Sequence, residues 1–269
     1  MTEAISSETP ATQVGPDPAA GQEAARKPLG RKGYGSIGHL PGSRTGPADH
    51  TCDPGQAVIA TQRARSGDRV IVTEKLDGTN VGVLRIDGDI VAINRAGWPA
   101  RTSPYEMHRH FADWVEERRA LFLDLLGERE RFAGEWIELA HGTRYAPETP
   151  DDLFIVFDLI DGKTRKDLRL PYDQLIERIA GSSLRRAGLV SDGPALAIED
   201  AMERLGAYGF HAALDGPEGA VWRVETKGRF NFIAKYVRPE KLDGRYLEQI
   251  TGGAPVWNAC RQIAAQARR

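Results

Sequence analysis

The chain has 269 residues, and its 36 Lys and Arg nearly balance 38 Asp and Glu, giving a formal net charge of −2. This excludes a histone-like basic protein and an acidic tail protein, but leaves room for a local basic groove that binds nucleic acid. Hydrophobic residues at 41 % suffice for a core, two cysteines (Cys52 and Cys260) are too few for a disulfide framework, and neither a membrane-length apolar run nor a secretory leader is visible, so a soluble, cytoplasmic protein is expected.

Residues 1–30 are rich in Ala, Pro, Gly, Thr and Glu with almost no large apolar side chains. Such a segment cannot offset its ordering entropy and reads as a disordered tail. Residues 31–56 mix Gly and Pro with Tyr34, Ile37, His39, Leu40, Arg44 and His50, and read as irregular structure packed on the domain. Gly33-Tyr34-Gly35-Ser36-Ile37-Gly38 matches G-x-G-x-x-G, but no strand precedes it and Pro41, Gly42, Gly46 and Pro47 break any helix after it. It is therefore a Gly loop and not a dinucleotide fingerprint. Lys32, His39, Arg44 and His50 are either phosphate ligands for a nucleic acid or solvated loop residues.

The domain proper is set at 57–245, with 246–269 as a C-terminal tail or helix. Arg69–Glu74 is a β-branched strand. Val81–Ile86 and Ile90–Asn94 flank the turn Asp87-Gly88-Asp89 and form a hairpin. Ser103-Pro104-Tyr105-Glu106 has the form of a capping box with Pro at the first helical position. Phe111, Trp114, Val115, the stem of Arg118, Leu121, Phe122, Leu125 and Leu126 follow at helical spacing until Gly127. Phe132–Leu139 and Leu153–Ile160 read as buried strands. Tyr172–Ala180 and Ala195–Leu205 read as helices closed by Gly181 and Gly206. Gly219–Glu225 and Arg229–Val237 form a second hairpin around Thr226-Lys227-Gly228, and a last helix is expected from about Val256. Strands with helices between hairpins predict an α+β fold with antiparallel sheets. His108 and His110, two apart on a helix, do not share a face and make poor joint metal ligands.

Charged residues interrupt several apolar strands. Lys75 ends the first, within Glu74-Lys75-Leu76-Asp77-Gly78-Thr79-Asn80; Glu135, Asp158, Glu218 and Lys235 mark four others. Singly, each reads as a strand-end ion pair or a surface charge, and Lys75 as a charged strand end before a D-G turn. Together they point to a shared polar cleft, because charges on buried strands need partners, a metal or a substrate. A lysine nucleophile at the mouth of a sheet attacks only when neutral, which requires desolvation or a neighbouring cation.

In this order the segments resemble the covalent nucleotidyltransferase superfamily of ATP-dependent RNA ligases, DNA ligases and mRNA capping enzymes. The nucleophile motif is similar to Lys75-Leu76-Asp77-Gly78-Thr79-Asn80. The motifs that follow it are similar to Asn94-Arg95-Ala96-Gly97, Phe132-Ala133-Gly134-Glu135, Phe154-Ile155-Val156-Phe157-Asp158-Leu159, Glu218-Gly219-Ala220-Val221-Trp222-Arg223 and Phe232-Ile233-Ala234-Lys235. Asn80, where DNA ligases usually carry Arg, tilts the resemblance to the RNA ligase branch. It implies an ATP-grasp-like adenylation domain whose antiparallel sheets flank a nucleotide cleft, without a C-terminal OB domain.

The resemblance also implies roles. Lys75 would attack the α-phosphate of ATP and become lysyl-AMP, which is passed to an RNA 5′-phosphate and sealed by a 3′-hydroxyl, as in RNA repair. Glu74 would lie near the adenine. Asn80 and Arg95 would orient the nucleotide phosphate or the RNA end, and Glu135 would accept from the ribose hydroxyls. Phe157 would stack on the base, with Phe154 as its rival on the other strand face. Glu218 would hold Mg²⁺ or Mn²⁺. Lys235 would contact the α-phosphate and help keep Lys75 neutral. RNA ends or a nicked duplex are the implied partners, with no membrane. One departure is Ile233, which stands where the family's last motif commonly has a first lysine; Lys241, Arg238 or Arg229 are candidates to replace it. A DNA-nick ligase, a guanylyltransferase or a catalytically inactive nucleotide- or RNA-binding module are the alternatives.

Overall fold

Along the strand that ends at Lys75, Val70 and Val72 pack into one core while Ile71, Thr73 and Lys75 border a cavity on the opposite face. The same two-residue alternation, inherent to the pleat, recurs in the hairpin after Glu218. There Ala220, Trp222, Val224, Phe232 and Ala234 join that core, and Val221, Arg223, Ile233 and Lys235 border the cavity.

The structure, a computed structural model, describes residues 26–164 and 166–258. The tail expected over residues 1–25 and the end of the expected last helix, 259–269, lie outside the described residues. The elements in chain order are β1 (Gly38–His39), α1 (Pro54–Thr61), β2 (Asp68–Lys75), β3 (Thr79–Ile86), β4 (Asp89–Asn94), α2 (Glu106–Glu117), α3 (Arg119–Leu125), β5 (Glu130–Trp136), β6 (Phe154–Asp161), β7 (Leu168–Arg169), α4 (Tyr172–Ile179), β8 (Arg185–Arg186), β9 (Leu189–Gly193), α5 (Ile198–Leu205), β10 (Gly219–Thr226), β11 (Arg229–Val237) and α6 (Glu248–Thr251).

The fold is α+β with two largely antiparallel sheets. One runs β1-β11-β10-β2-β9, and the other runs β4-β3-β5-β6-β7 with β8 beside β6. Only the short β1–β11 and β6–β8 pairings are parallel. Ala57, Ala60, Ala201 and Leu205 from α1 and α5 cover the outer face of the first sheet. Phe111, Trp114, Val115, Phe122, Leu175 and Ile179 from α2, α3 and α4 pack with Phe132, Trp136 and Phe154 of the second. Both hairpin turns have the local chemistry their strands need: Asp87 and Gly88 have φ 53° and 76°, and Lys227 and Gly228 have φ 52° and 72°, the paired positive angles of a type I′ turn.

Strands β1, β7, β8 and β9 were not expected from the sequence, and the structure departs from the expectation at four further points. The helix expected from Ser103 starts at Glu106, because the Ser103 hydroxyl accepts the Tyr105 N–H at 3.2 Å and bonds His108 Nδ1 at 2.7 Å, while Arg109 takes the Ser103 and Pro104 carbonyls. The same helix breaks at Arg118, whose N–H turns to the Val115 carbonyl and whose guanidinium lies 4.4 Å from the Trp114 ring centre. Helix α1, opened by an Asp53–Gln56 capping box with Pro54 in the first turn, crosses the boundary set at residue 56. Val256, Trp257 and Asn258 are extended instead of helical. The Val256 carbonyl accepts from Ala140, Trp257 bridges Leu139, and the Asn258 side chain bonds Ile137 and Tyr145.

Candidate active site

The cavity between the sheets has a volume of about 470 Å³. Residues 75–80 reach it because the chain changes sheets there: Lys75 is the last residue of β2, and Leu76-Asp77-Gly78 cross directly into β3. Close packing fixes this crossing. A Cβ on Gly78 would stand 2.6 Å from the Trp136 carbonyl oxygen, so only glycine fits. Asp77 accepts from the Gly142 N–H and from Lys241, both at 2.8 Å, and its own N–H donates to the Tyr145 hydroxyl. Asp77 therefore braces the crossing and is not among the residues that line the cavity.

Lys75 Nζ lies 2.5 Å from Glu218 Oε2. Glu135 stands on β5 directly opposite Asn80, and its Oε1 accepts the Gly78 N–H at 3.2 Å. The Asn80 Oδ1 is buried with no hydrogen-bond partner among the described residues. Arg95 is exposed at the rim, and its guanidinium has no partner among the described residues. Lys235 enters from β11.

Phe157 borders the cavity, whereas Phe154 is fully buried in the aromatic core with Phe111 and Trp114. The reason is a bulge. Ala133 pairs with Asp158 and Gly134 with Val156, so Phe157 is the extra residue of β6, and a bulge re-aims the side chain it carries. Gly134 is required beside it, since a Cβ there would meet the Phe154 ring at 2.4 Å.

Electrostatics in the cleft is set by burial against close charges. Burial alone would lower Lys75, but Glu218, Glu135 and Asp77 outweigh it and hold the ammonium above the ordinary lysine value. Glu218, Glu135 and Asp77 thus hold the proton on Lys75, whereas attack by a lysine requires the neutral amine. Burial raises Glu135 to about 8, with Lys75 pulling the other way and Glu218 adding to the rise. Burial likewise raises Glu218 to about 7. Lys235 is lowered by burial and by Lys75.

Glu74 borders the cavity, yet its carboxylate lies on the other strand face from Lys75. There it accepts the Phe210 N–H at 2.8 Å, and burial raises it to about 7. Among the candidates expected to replace the missing lysine, Lys241 is engaged by Asp77 and Thr143, Arg238 faces Glu240, and Arg229 borders a separate surface hollow. None lines the cavity. Arg223, directly across from Ile233, does.

Tyr34, Ile37, His108, His141 and Tyr172 also line the cavity, and the sequence reading did not place them there. Tyr34 comes from the Gly loop. Its N–H and that of Gly33 both donate to the Arg95 carbonyl, its ring meets Phe157 edge-on at 5.2 Å, and its hydroxyl donates to Asp158 at 2.5 Å.

Residues 68–237 match the RNA ligase family model. The chain belongs to the RNA ligase family. Among solved structures, a Naegleria gruberi RNA ligase variant with ATP and Mn is similar over 74 % of this chain and 58 % of that one, at 17 % identity and a TM-score of 0.46. The same organism's RNA ligase with PPi is similar over 80 % and 62 %, at 17 % identity and a TM-score of 0.47. The matched part thus spans less than two thirds of those chains. Comparison with curated proteins gives no match. For this member of the family, the matched segment runs from the first residue of β2 to the last of β11, enclosing the strands that carry Lys75, Glu135, Phe157 and Lys235.

Proposed function

We propose that this chain is an ATP-dependent RNA ligase that works through a lysyl-AMP formed on Lys75. The observation that carries this reading is the pairing of Lys75 with Glu218 at 2.5 Å, at the edge of a cavity bordered by Asn80, Arg95, Glu135, Phe157 and Lys235. Phe157 and Tyr34 would form the base end. Glu135 and Asn80, whose buried Oδ1 lacks a partner, would meet the sugar. Arg95 and Lys235 would meet the phosphates, where transferred charge needs cations.

Lys75 must shed its proton before attack, and Glu218 Oε2 is the nearest acceptor. The amine then bonds to the α-phosphorus and gives up a second proton to the solvent as the bond to pyrophosphate breaks. A 5′-phosphate oxygen of the RNA next attacks the same phosphorus. The P–N bond breaks, Lys75 takes back a proton, and the AMP now caps the RNA end. Finally a 3′-hydroxyl attacks the 5′-phosphorus and loses its proton as AMP leaves. Glu218 is also the carboxylate that would hold Mg²⁺ or Mn²⁺. Its oxygen donors suit a hard cation, which takes one or two carboxylates together with substrate phosphates. When bound, the cation supplies positive charge against the transferred phosphate.

The test is covalent labelling with α-labelled ATP and Mg²⁺ followed by denaturation. Label should persist on the wild type, be acid-labile as a phosphoramidate is, and vanish in Lys75→Ala. No label from folded protein with ATP, or label only with GTP, overturns the reading.

A further inference from the structure

Two stretches free of acidic residues meet at the mouth of the cavity. Residues 26–48 contain Arg26, Lys27, Arg31, Lys32 and Arg44 and no Asp or Glu, and residues 90–105 contain Arg95 and Arg101 and again no acid. This concentration of positive charge stands out in a chain whose net charge is −2. The stretches are joined by the Gly33 and Tyr34 N–H bonds to the Arg95 carbonyl at 2.9 and 3.2 Å, and by Lys27, whose Nζ lies 5.0 Å from the centre of the Trp98 ring.

Carboxylates elsewhere neutralise part of this charge. Arg31 pairs with Asp167, Arg44 with Asp243 and Arg101 with Asp113. Lys27, Lys32 and Arg95 have no carboxylate partner among the described residues. Beside them, Trp98 is 41 % exposed and Tyr105 51 % exposed, and Tyr105 packs edge-on against His108 of the cavity wall. Large aromatic faces are ordinarily buried. Cations that lack a carboxylate partner attract a phosphate backbone, and the part of the Trp98 ring left exposed beside Lys27 offers a stacking face to an unpaired base. Arg95 lies innermost, on the cavity rim, where a terminal phosphate would meet a guanidinium.

We propose that this rim, built by Lys27, Lys32 and Trp98 with Arg95 at its inner edge, is the docking surface for the RNA strand whose 5′-phosphate receives AMP. The inference rests on the ligase reading above and adds a place for the acceptor: the strand lies across the Gly loop and the β4–α2 connection. It gives the segment before β1 a task that none of the nucleotide motifs covers.

The experiment measures binding of a short 5′-phosphorylated RNA strand by fluorescence anisotropy over a range of salt concentrations, with lysyl-AMP formation followed in parallel. Lys27→Ala/Lys32→Ala should weaken binding about tenfold and lower the log–log salt slope by roughly 1.4, the share of two phosphates on a single strand. Trp98→Ala should weaken binding about tenfold with the slope unchanged, as expected for lost stacking. Lys32→Arg should bind like wild type. All three should form lysyl-AMP at the wild-type rate and transfer it to RNA in proportion to binding. Wild-type affinity and slope in the double variant overturn the docking surface, and so does a loss of lysyl-AMP formation matching the loss of binding. If wild type binds RNA through this rim but forms no lysyl-AMP, the ligase chemistry falls and the docking surface stands.

Discussion

Asp49 Oδ1 lies 3.6 Å from Lys235 Nζ. Asp49 comes from the segment before α1, and its other oxygen lies 3.3 Å from His39 Nε2 and accepts the Gly46 N–H. His39 in turn sits opposite Lys235 in the parallel pairing of β1 with β11. A stretch outside the segments that resemble ligase motifs thus supplies the carboxylate that faces Lys235.

Asp49 should therefore keep Lys235 charged. Burial and Lys75 lower Lys235, while Asp49 and Glu218 raise it; His39 is itself lowered, first by burial and then by Lys235. Without Asp49, Lys235 loses its proton at lower pH. Asp49→Asn should match wild type near pH 7 and show a several-fold slower lysyl-AMP formation at pH 9. An alkaline limb that does not move would remove Asp49 from this role.

Glu74 makes a stability prediction with a definite sign. Its folded value, raised to about 7 by burial, lies above the ordinary carboxylate range. A raised acid contributes its full stability below the unfolded value near 4 and loses it as pH climbs through about 7. Glu74→Gln removes that loss while an amide oxygen can still accept the Phe210 N–H. The variant should gain on the order of 3 kcal/mol at pH 8 and nothing at pH 4. Denaturant titrations at the two values check this, and equal differences at both would refute it.

Phe157 and Phe154 show where the sequence was legible and where it was not. The hairpins were readable because Asp87-Gly88 and Lys227-Gly228 settle their turns locally, and the alternating strands around Trp222 and Ala234 follow from the pleat. Strict alternation cannot tell which phenylalanine faces the cleft, since the bulge at Phe157 depends on Gly134 of the neighbouring strand. Tyr34 and Asp49 were illegible for a similar reason. They reach the cleft only through pairing between β1 and β11 and through the Arg95 carbonyl, and neither leaves a local pattern. The expected test is a split: Phe154→Ala should destabilise by about 3–5 kcal/mol, whereas Phe157→Ala should leave stability nearly intact and raise the KM for ATP about tenfold.

Glu218 should be sensitive in two separable ways. Chelation of divalent cations should reduce lysyl-AMP formation by about a hundredfold or more, with recovery on adding back Mg²⁺ or Mn²⁺. Glu218→Gln removes the proton acceptor and the carboxylate together, so added cation should not restore it. Cation-restored activity in Glu218→Gln would show that another group does this work.

Arg223 sits directly across from Ile233, yet its bonding makes it a brace for the cavity wall that Tyr34 and Tyr172 line. It donates to Asp158 at 2.5 Å, to Glu225 at 2.7 Å and to the Leu170 carbonyl, and Asp158 also receives Tyr34 and Arg169. The Glu225 carboxylate in turn caps the Tyr172 N–H at 2.7 Å. Arg223→Lys keeps the charge but not the planar fork that serves three acceptors. One or two of these buried acceptors then lose their donor, which should lower stability by about 2–4 kcal/mol. Tyr34 and Tyr172, which wall the cavity from opposite sides of this network, should loosen with it. The KM for ATP should rise while the rate at saturating ATP changes little. A variant that keeps wild-type stability and KM but loses rate would instead make Arg223 a phosphate ligand, standing in for the lysine that Ile233 replaces.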